Sequence, residues 1–138
     1  MTGGPRDVQA ALFANEAFYR AFVDRDIDAM DALWARDEPV LCIHPGWPPI
    51  FGRIQVIASW TRILANPQAP RVECVAPRAF VAGDQALVIC HEAIAGQALV
   101  ATNLFRREAG AWRLFHHQAS PAPGLPARDP DLPPSRPH

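Results

Sequence analysis

VAGDQALVICHEAIAGQALVATNLFRREAGAWRLFHHQA, residues 81–119, reads as apolar, β-branched and aromatic runs broken at short glycine-bearing turns. With the run before it, the strand-like segments are about 71–82, 85–95, 98–108 and 111–119. They are separated by Gly83-Asp84, Gly96-Gln97 and Gly110. Glycine supplies the positive φ that tight hairpins need, so consecutive runs joined this way predict an antiparallel meander.

Upstream of the meander the hydrophobic period changes. From Asp7 to about Asp24, Val8, Leu12, Tyr19 and Phe22 recur near 3.6 residues with no proline between them, which predicts a long amphipathic helix. A shorter helix is expected from Ile27 to about Arg36, capped by Asp26, with Ile27, Met30, Leu33 and Trp34 as its apolar stripe. Pro39 stops it, and Val40–His44 is a compact strand-like run that ends at the turn Pro45-Gly46. Residues 45–52, PGWPPIFG, are too rich in proline and glycine for regular structure. They are also too apolar for a solvated loop, so they are expected to fold over something. A third helix is predicted over 53–65, with Val56, Ile57, Trp60, Ile63 and Leu64 on one face and Asn66-Pro67 at its end. The tail from Pro121 holds seven of the fifteen prolines and little apolar bulk, so it is expected to be disordered or extended. The expected organisation is a short N-terminus over 1–6, one domain over 7–120 and the tail over 121–138.

A chain of 138 residues with 49% hydrophobic and 20% charged residues has room for one core. A net charge of −1 provides no basic field for phosphates, so neither nucleic acid nor an anionic membrane surface is expected as a partner. Cys42, Cys74 and Cys90 are odd in number, widely spaced and set in apolar runs, which reads as buried free thiols. The first residues lack the basic-then-apolar order of a signal peptide and no apolar run is long enough to span a bilayer, so a cytoplasmic protein is expected. No GxGxxG, P-loop, GxSxG or HExxH pattern occurs, and no cofactor is expected. His44, His91 and His116 lie in separate segments without a ligand spacing, so no metal site is expected either.

Helices followed by a long antiparallel sheet, with one strand between the second and third helices, is an order that resembles the nuclear transport factor 2-like superfamily, and within it the SnoaL-like proteins. The residues that carry the resemblance are AFYRAF (17–22), DIDAMDALW (26–34), CIHPGW (42–47), FGRIQVIASW (51–60), TNLFRR (102–107) and WRLFHHQAS (112–120), and the match covers about 8–120. It implies a cone-shaped α+β fold with about three helices packed on a curved, mainly antiparallel sheet. It also implies a pocket sized for a small molecule, and a homodimer formed through the outer sheet face. The superfamily includes isomerases, dehydratases, cyclases, hydrolases, a kinase hub and a transport factor, so the shared fold does not choose among activities.

Strict alternation puts Ala86, Val88, Cys90 and Glu92 on one face and Leu87, Ile89, His91 and Ala93 on the other. On the later strands Asn103 and Phe105 share a face, as do Trp112, Leu114, His116 and Gln118. The kinase hub resembles this part of the chain and has polar pocket residues at positions matching Glu92, Asn103 and His116. The resemblance therefore implies that this face is concave. Glu92 and His116 are the expected acid–base pair, because an apolar wall disfavours a charged carboxylate and imidazole titrates nearest neutrality. His117 would face outward, toward a subunit contact. The ketosteroid isomerases carry an oxyanion-hole tyrosine where this chain has Tyr19, though the acids that accompany it there are replaced by Asn103, Leu114 and His116. His44 is placed at the pocket mouth or as the cap of a turn. Trp47 and Trp60 are expected to line the pocket with Phe105 and Gln118, while Trp34 and Trp112 pack. Two readings follow: a cofactor-independent acid–base enzyme or small-molecule binder, and a non-catalytic module that dimerises or senses a ligand.

Overall fold

A computed structural model describes residues 4–127, so positions 128–138 of the proline-rich tail lie outside the described residues. Its elements are α1 (Pro5–Asp24), α2 (Ile27–Leu33), β1 (Leu41–Ile43), β2 (Ile50–Phe51), α3 (Arg53–Ala65), β3 (Val72–Ala82), β4 (Gln85–Ile94), β5 (Gln97–Glu108) and β6 (Ala111–Pro121). The strands form one sheet in the order β2-β1-β6-β5-β4-β3. Among the strand pairings of the described residues, β1–β6 is parallel and the others are antiparallel.

Turn chemistry sets the meander. Ala95-Gly96 and Ala109-Gly110 each have positive φ at both residues, the backbone of a type I′ turn, whose twist matches that of the flanking strands. In β3, Val75 pairs with His91 but Arg78 with Ile89, so one extra residue is accommodated beside Ala76, which has φ 54°. Such a bulge bends a strand, and β3 is the strand on which α1 packs most extensively. α1 begins with proline at its first position, where a missing N–H costs nothing, and buries Ala11, Ala14, Asn15, Phe18 and Tyr19 against β3, β4 and β6.

The centre of the core is aromatic. Phe18 meets Tyr19, Trp60 and His117 at centroid distances of 4.9, 5.4 and 5.0 Å, and Trp60 also meets Phe22 at 5.2 Å. Offset and edge-on geometries such as these suit the ring quadrupoles.

Two local expectations are corrected. The second helix ends at Leu33 rather than Arg36, because Trp34 turns extended and bridges to Leu114, and the Ala35 N–H donates to the Leu114 carbonyl at 2.8 Å. The freed carbonyls are collected by Arg53, whose guanidinium donates to Asp31 O, Trp34 O and Ala35 O at 3.0–3.1 Å and to Asp31 Oδ1 at 2.7 Å. The 45–52 segment is not wholly irregular, since Ile50–Phe51 pairs with β1 as a short edge strand. At the other end β6 runs to Pro121, opposite Leu99, and the Ala122 N–H donates to Ala98 O at 2.9 Å.

Candidate functional site

The inner face of the sheet carries Val88, Cys90 and Glu92 from β4, Ala101 and Asn103 from β5, and His117 from β6. All are buried, and α1 lays Asn15 and Tyr19 across them. Tyr19 donates its hydroxyl proton to Glu92 Oε2 at 2.6 Å, and its oxygen lies 3.2 Å from Cys90 Sγ. Asn103 Nδ2 donates to Asn15 Oδ1 at 2.8 Å and to Tyr19 Oη at 3.2 Å. Its other amide atom, Oδ1, faces His117 Nδ1 at 2.5 Å. His117 Nε2 stands 4.0 Å from Glu92 Oε2.

Burial works against charge throughout this cluster. Burial raises the Glu92 pKa above the ordinary carboxylate value, with the Tyr19 bond opposing it. Burial pushes His117 down to about 3, helped by the nearby His44 and His116 rings, so the imidazole carries no charge near neutral pH. Tyr19 is held well above its usual value, first by burial and then by Glu92, and keeps its proton. With its ring uncharged, His117 approaches Glu92 without forming an ion pair.

A second constellation lies between β1 and α3. His44 Nε2 is 2.9 Å from Ser59 Oγ, and that hydroxyl gives its own proton to Val56 O at 2.6 Å. The ring must therefore donate from Nε2 to Ser59. His44 is buried edge-on against Trp47 and Trp60, each at 4.8 Å, and burial lowers its pKa to about 4. Trp47 is the half-exposed lid of this corner, with the Arg62 guanidinium 5.6 Å from its ring centroid.

Among the described residues, cavities open at the strand ends. One of about 470 Å³ is lined by Ile43, His44, Pro70, Ile94, Leu99 and Gln118 among others. Another of about 740 Å³ lies where the β4–β5 turn meets residues 121–125. Neither is lined by Tyr19, Glu92, Asn103 or His117. The smaller cavity adjoins the cluster through the sheet: Leu99 is the cross-strand partner of Glu92, and Ala119, also in its wall, lies two residues beyond His117 on the same face.

Of the residues predicted from sequence, Tyr19, Glu92 and Asn103 come together, and His44, Trp47 and Trp60 form the neighbouring corner. Phe105 faces inward as core opposite Leu114. His116 does not join them. Leu104 pairs with His116 but Phe105 with Leu114, so Phe115 is an extra residue that resets the alternation of β6. Before the bulge Trp112 and Leu114 point inward; beyond it His117 and Ala119 do, while His116 and Gln118 share the outer side. Gln118 is exposed there and meets the small cavity only at its rim. Sequence reading also missed Asn15 and Ser59. Asn15 was visible as a polar residue four positions before Tyr19 on the apolar stripe of α1, a spacing that puts both on one helix face. Ser59 carried no such signal.

Comparison with known proteins agrees with this fold. A Streptomyces avermitilis protein, a candidate dehydratase of the nuclear transport factor 2-like family, is 37% identical with a TM-score of 0.77, over 85% of this chain and 96% of that one. A candidate calcium/calmodulin-dependent protein kinase type II association domain from Thiobacillus denitrificans is 38% identical with a TM-score of 0.71, over 79% of this chain and 92% of that one. The F-box protein SKIP8 of Arabidopsis thaliana is 28% identical over 114 residues, 81% of this chain; the chain spans about half the length (49%) of that curated relative. The SnoaL-like domain model matches residues 12–124, and the chain belongs to the SnoaL-like family.

Proposed function

We propose that this protein binds a small, uncharged, largely apolar molecule on the concave side of its sheet and moves a proton on it without a cofactor, with Glu92 as the proton-transferring carboxyl group. The observation that carries this reading is the buried set of Tyr19, Glu92, Asn103 and His117, where burial raises the carboxyl pKa and keeps the imidazole uncharged, next to a cavity of about 470 Å³. That volume falls within the usual size of small-molecule sites. A carboxyl group whose pKa is lifted by an apolar wall can exchange protons near neutral pH. His117 takes the place that strict alternation gave to His116. With no charged partner beside it, the cluster favours a ligand bearing hydroxyl or carbonyl groups over an anion. Among isomerisation, cyclisation, hydrolysis and dehydration, the Streptomyces relative described as a candidate dehydratase favours loss of water. The test is turnover of a panel of hydroxy-carbonyl compounds, with activity abolished by Glu92→Gln and retained by His116→Ala. Equal activity in the parent and Glu92→Gln would remove Glu92 from the chemistry.

A second reading rests on one specific observation: the polar groups of the cluster bond to one another, as a purely structural core requires. On that reading the protein is a non-catalytic module that dimerises or senses a ligand. In either case the half-buried outer side of the sheet, with Leu87, Ile89 and Phe115, is the proposed homodimer face. A dimer that neither binds nor converts any member of the panel would favour this second reading.

A further inference from the structure

Asn15 and the hydroxyl proton of Tyr19 have a consequence for the direction of proton movement. Asn103 can sit in two amide orientations related by a flip, and each would give His117 a different tautomer. The Tyr19 hydroxyl has one proton and spends it on Glu92 Oε2 at 2.6 Å. Its remaining lone pairs face Asn103, so the Asn103 atom 3.2 Å away must be the NH2 group, since a carbonyl there would meet lone pairs with lone pairs. Asn15 reinforces this orientation by accepting the other N–H of Asn103 at 2.8 Å, and its own NH2 is directed at Cys74 Sγ, 3.6 Å away. The Asn103 carbonyl is then left facing His117 Nδ1, which must carry the ring proton in order to donate to it.

We infer that Asn15 and Tyr19 are positioning residues that lock Asn103 in one orientation, thereby fixing His117 as the Nδ1–H tautomer with a bare Nε2 aimed at the Glu92 carboxyl group 4.0 Å away. The tautomer makes His117 Nε2 the proton acceptor, and the function proposed above makes the Glu92 O–H the donor. In loss of water from a hydroxy-carbonyl compound, Nε2 takes the C–H proton as the C=C bond forms and the C–O bond breaks, and Glu92 protonates the departing hydroxide to give water. Transfer of the proton from His117 to the Glu92 carboxylate then restores the starting state. The roles rest on the acid–base reading of the preceding section, whereas the tautomer does not.

The two claims separate in one experiment on ligand-free protein: long-range proton–nitrogen correlation NMR of the 15N-labelled histidine rings, which distinguishes the neutral tautomers directly. The expected result is a single His117 species with Nδ1 protonated in the parent. Tyr19→Phe and Asn15→Leu are each expected to introduce a second species with Nε2 protonated. A parent His117 with its proton on Nε2 would overturn the inference. So would a Tyr19→Phe/Asn15→Leu double variant that keeps a dispersed, folded spectrum and an unmixed Nδ1–H ring. If the double variant does not fold, the parent spectrum and the single variants still decide. The expected tautomer combined with failure of every substrate would leave the lock standing and reject the acid–base roles.

Discussion

Acidification is expected to destabilise this fold through two rings that stay uncharged inside it. Burial lowers the folded-state pKa of His44 to about 4 and of His117 to about 3, while in the unfolded chain both return to about 6.5. Below that value the unfolded chain binds protons that the native state does not, so stability is full above about pH 6.5 and falls as the pH drops, until the folded pKa values are reached. The slope is about 1.4 kcal/mol per pH unit for each ring, so the change from about pH 7.5 to about pH 5 removes about 2 kcal/mol for each, or about 4 kcal/mol together. Glu92 acts in the opposite sense. Its raised pKa makes the native state take up a proton before the unfolded chain does, so its contribution offsets part of the loss as the pH falls through its folded-state pKa. The assay is guanidinium unfolding followed by tryptophan fluorescence at about pH 7.5, 6 and 5, repeated on His44→Asn/His117→Asn, in which the pH dependence should flatten. Stability that is level or rising from about pH 7.5 to about pH 5 in the parent would refute the claim that both rings are buried and neutral.

Three further outcomes are open to direct measurement. Phe18→Ala empties the centre of the aromatic cluster and should cost about 3–5 kcal/mol in denaturant unfolding. Asp26→Ala removes the side chain that accepts the Ala29 N–H at the start of α2 and should cost about 1 kcal/mol. Arg53→Met strands the carbonyls of Asp31, Trp34 and Ala35, with an expected loss of about 2 kcal/mol and faster amide hydrogen exchange around the end of α2.

The large elements were legible because each rests on a local signal: the 3.6-residue stripe of α1 and α3, and the glycine turns at 83, 96 and 110. What escaped were features whose cause is tertiary. Trp34 belongs to the apolar stripe of α2, yet leaves the helix because Leu114 offers a backbone partner and Arg53 collects the freed carbonyls. The exchange of His117 for His116 has the same origin. Alternation along a strand is dependable only while the register is unbroken, and the extra Phe115 is set by how β6 fits against β5 rather than by anything in FHHQ itself. Up to Leu114, before the bulge, strict alternation and the fold agree on which residues of β6 face inward; beyond it the alternation is displaced by one residue.

The central claim concerns what the concave side holds, and ligand retention tests it most directly. Native mass spectrometry of the purified protein would be repeated with Glu92→Gln, His117→Asn and His116→Ala against aromatic and isoprenoid carbonyl and hydroxyl compounds. The predicted result is a small uncharged ligand retained by the parent and by His116→Ala, and lost from Glu92→Gln and His117→Asn. A parent that retains nothing, or retention that depends on His116 and not on His117, would contradict the account.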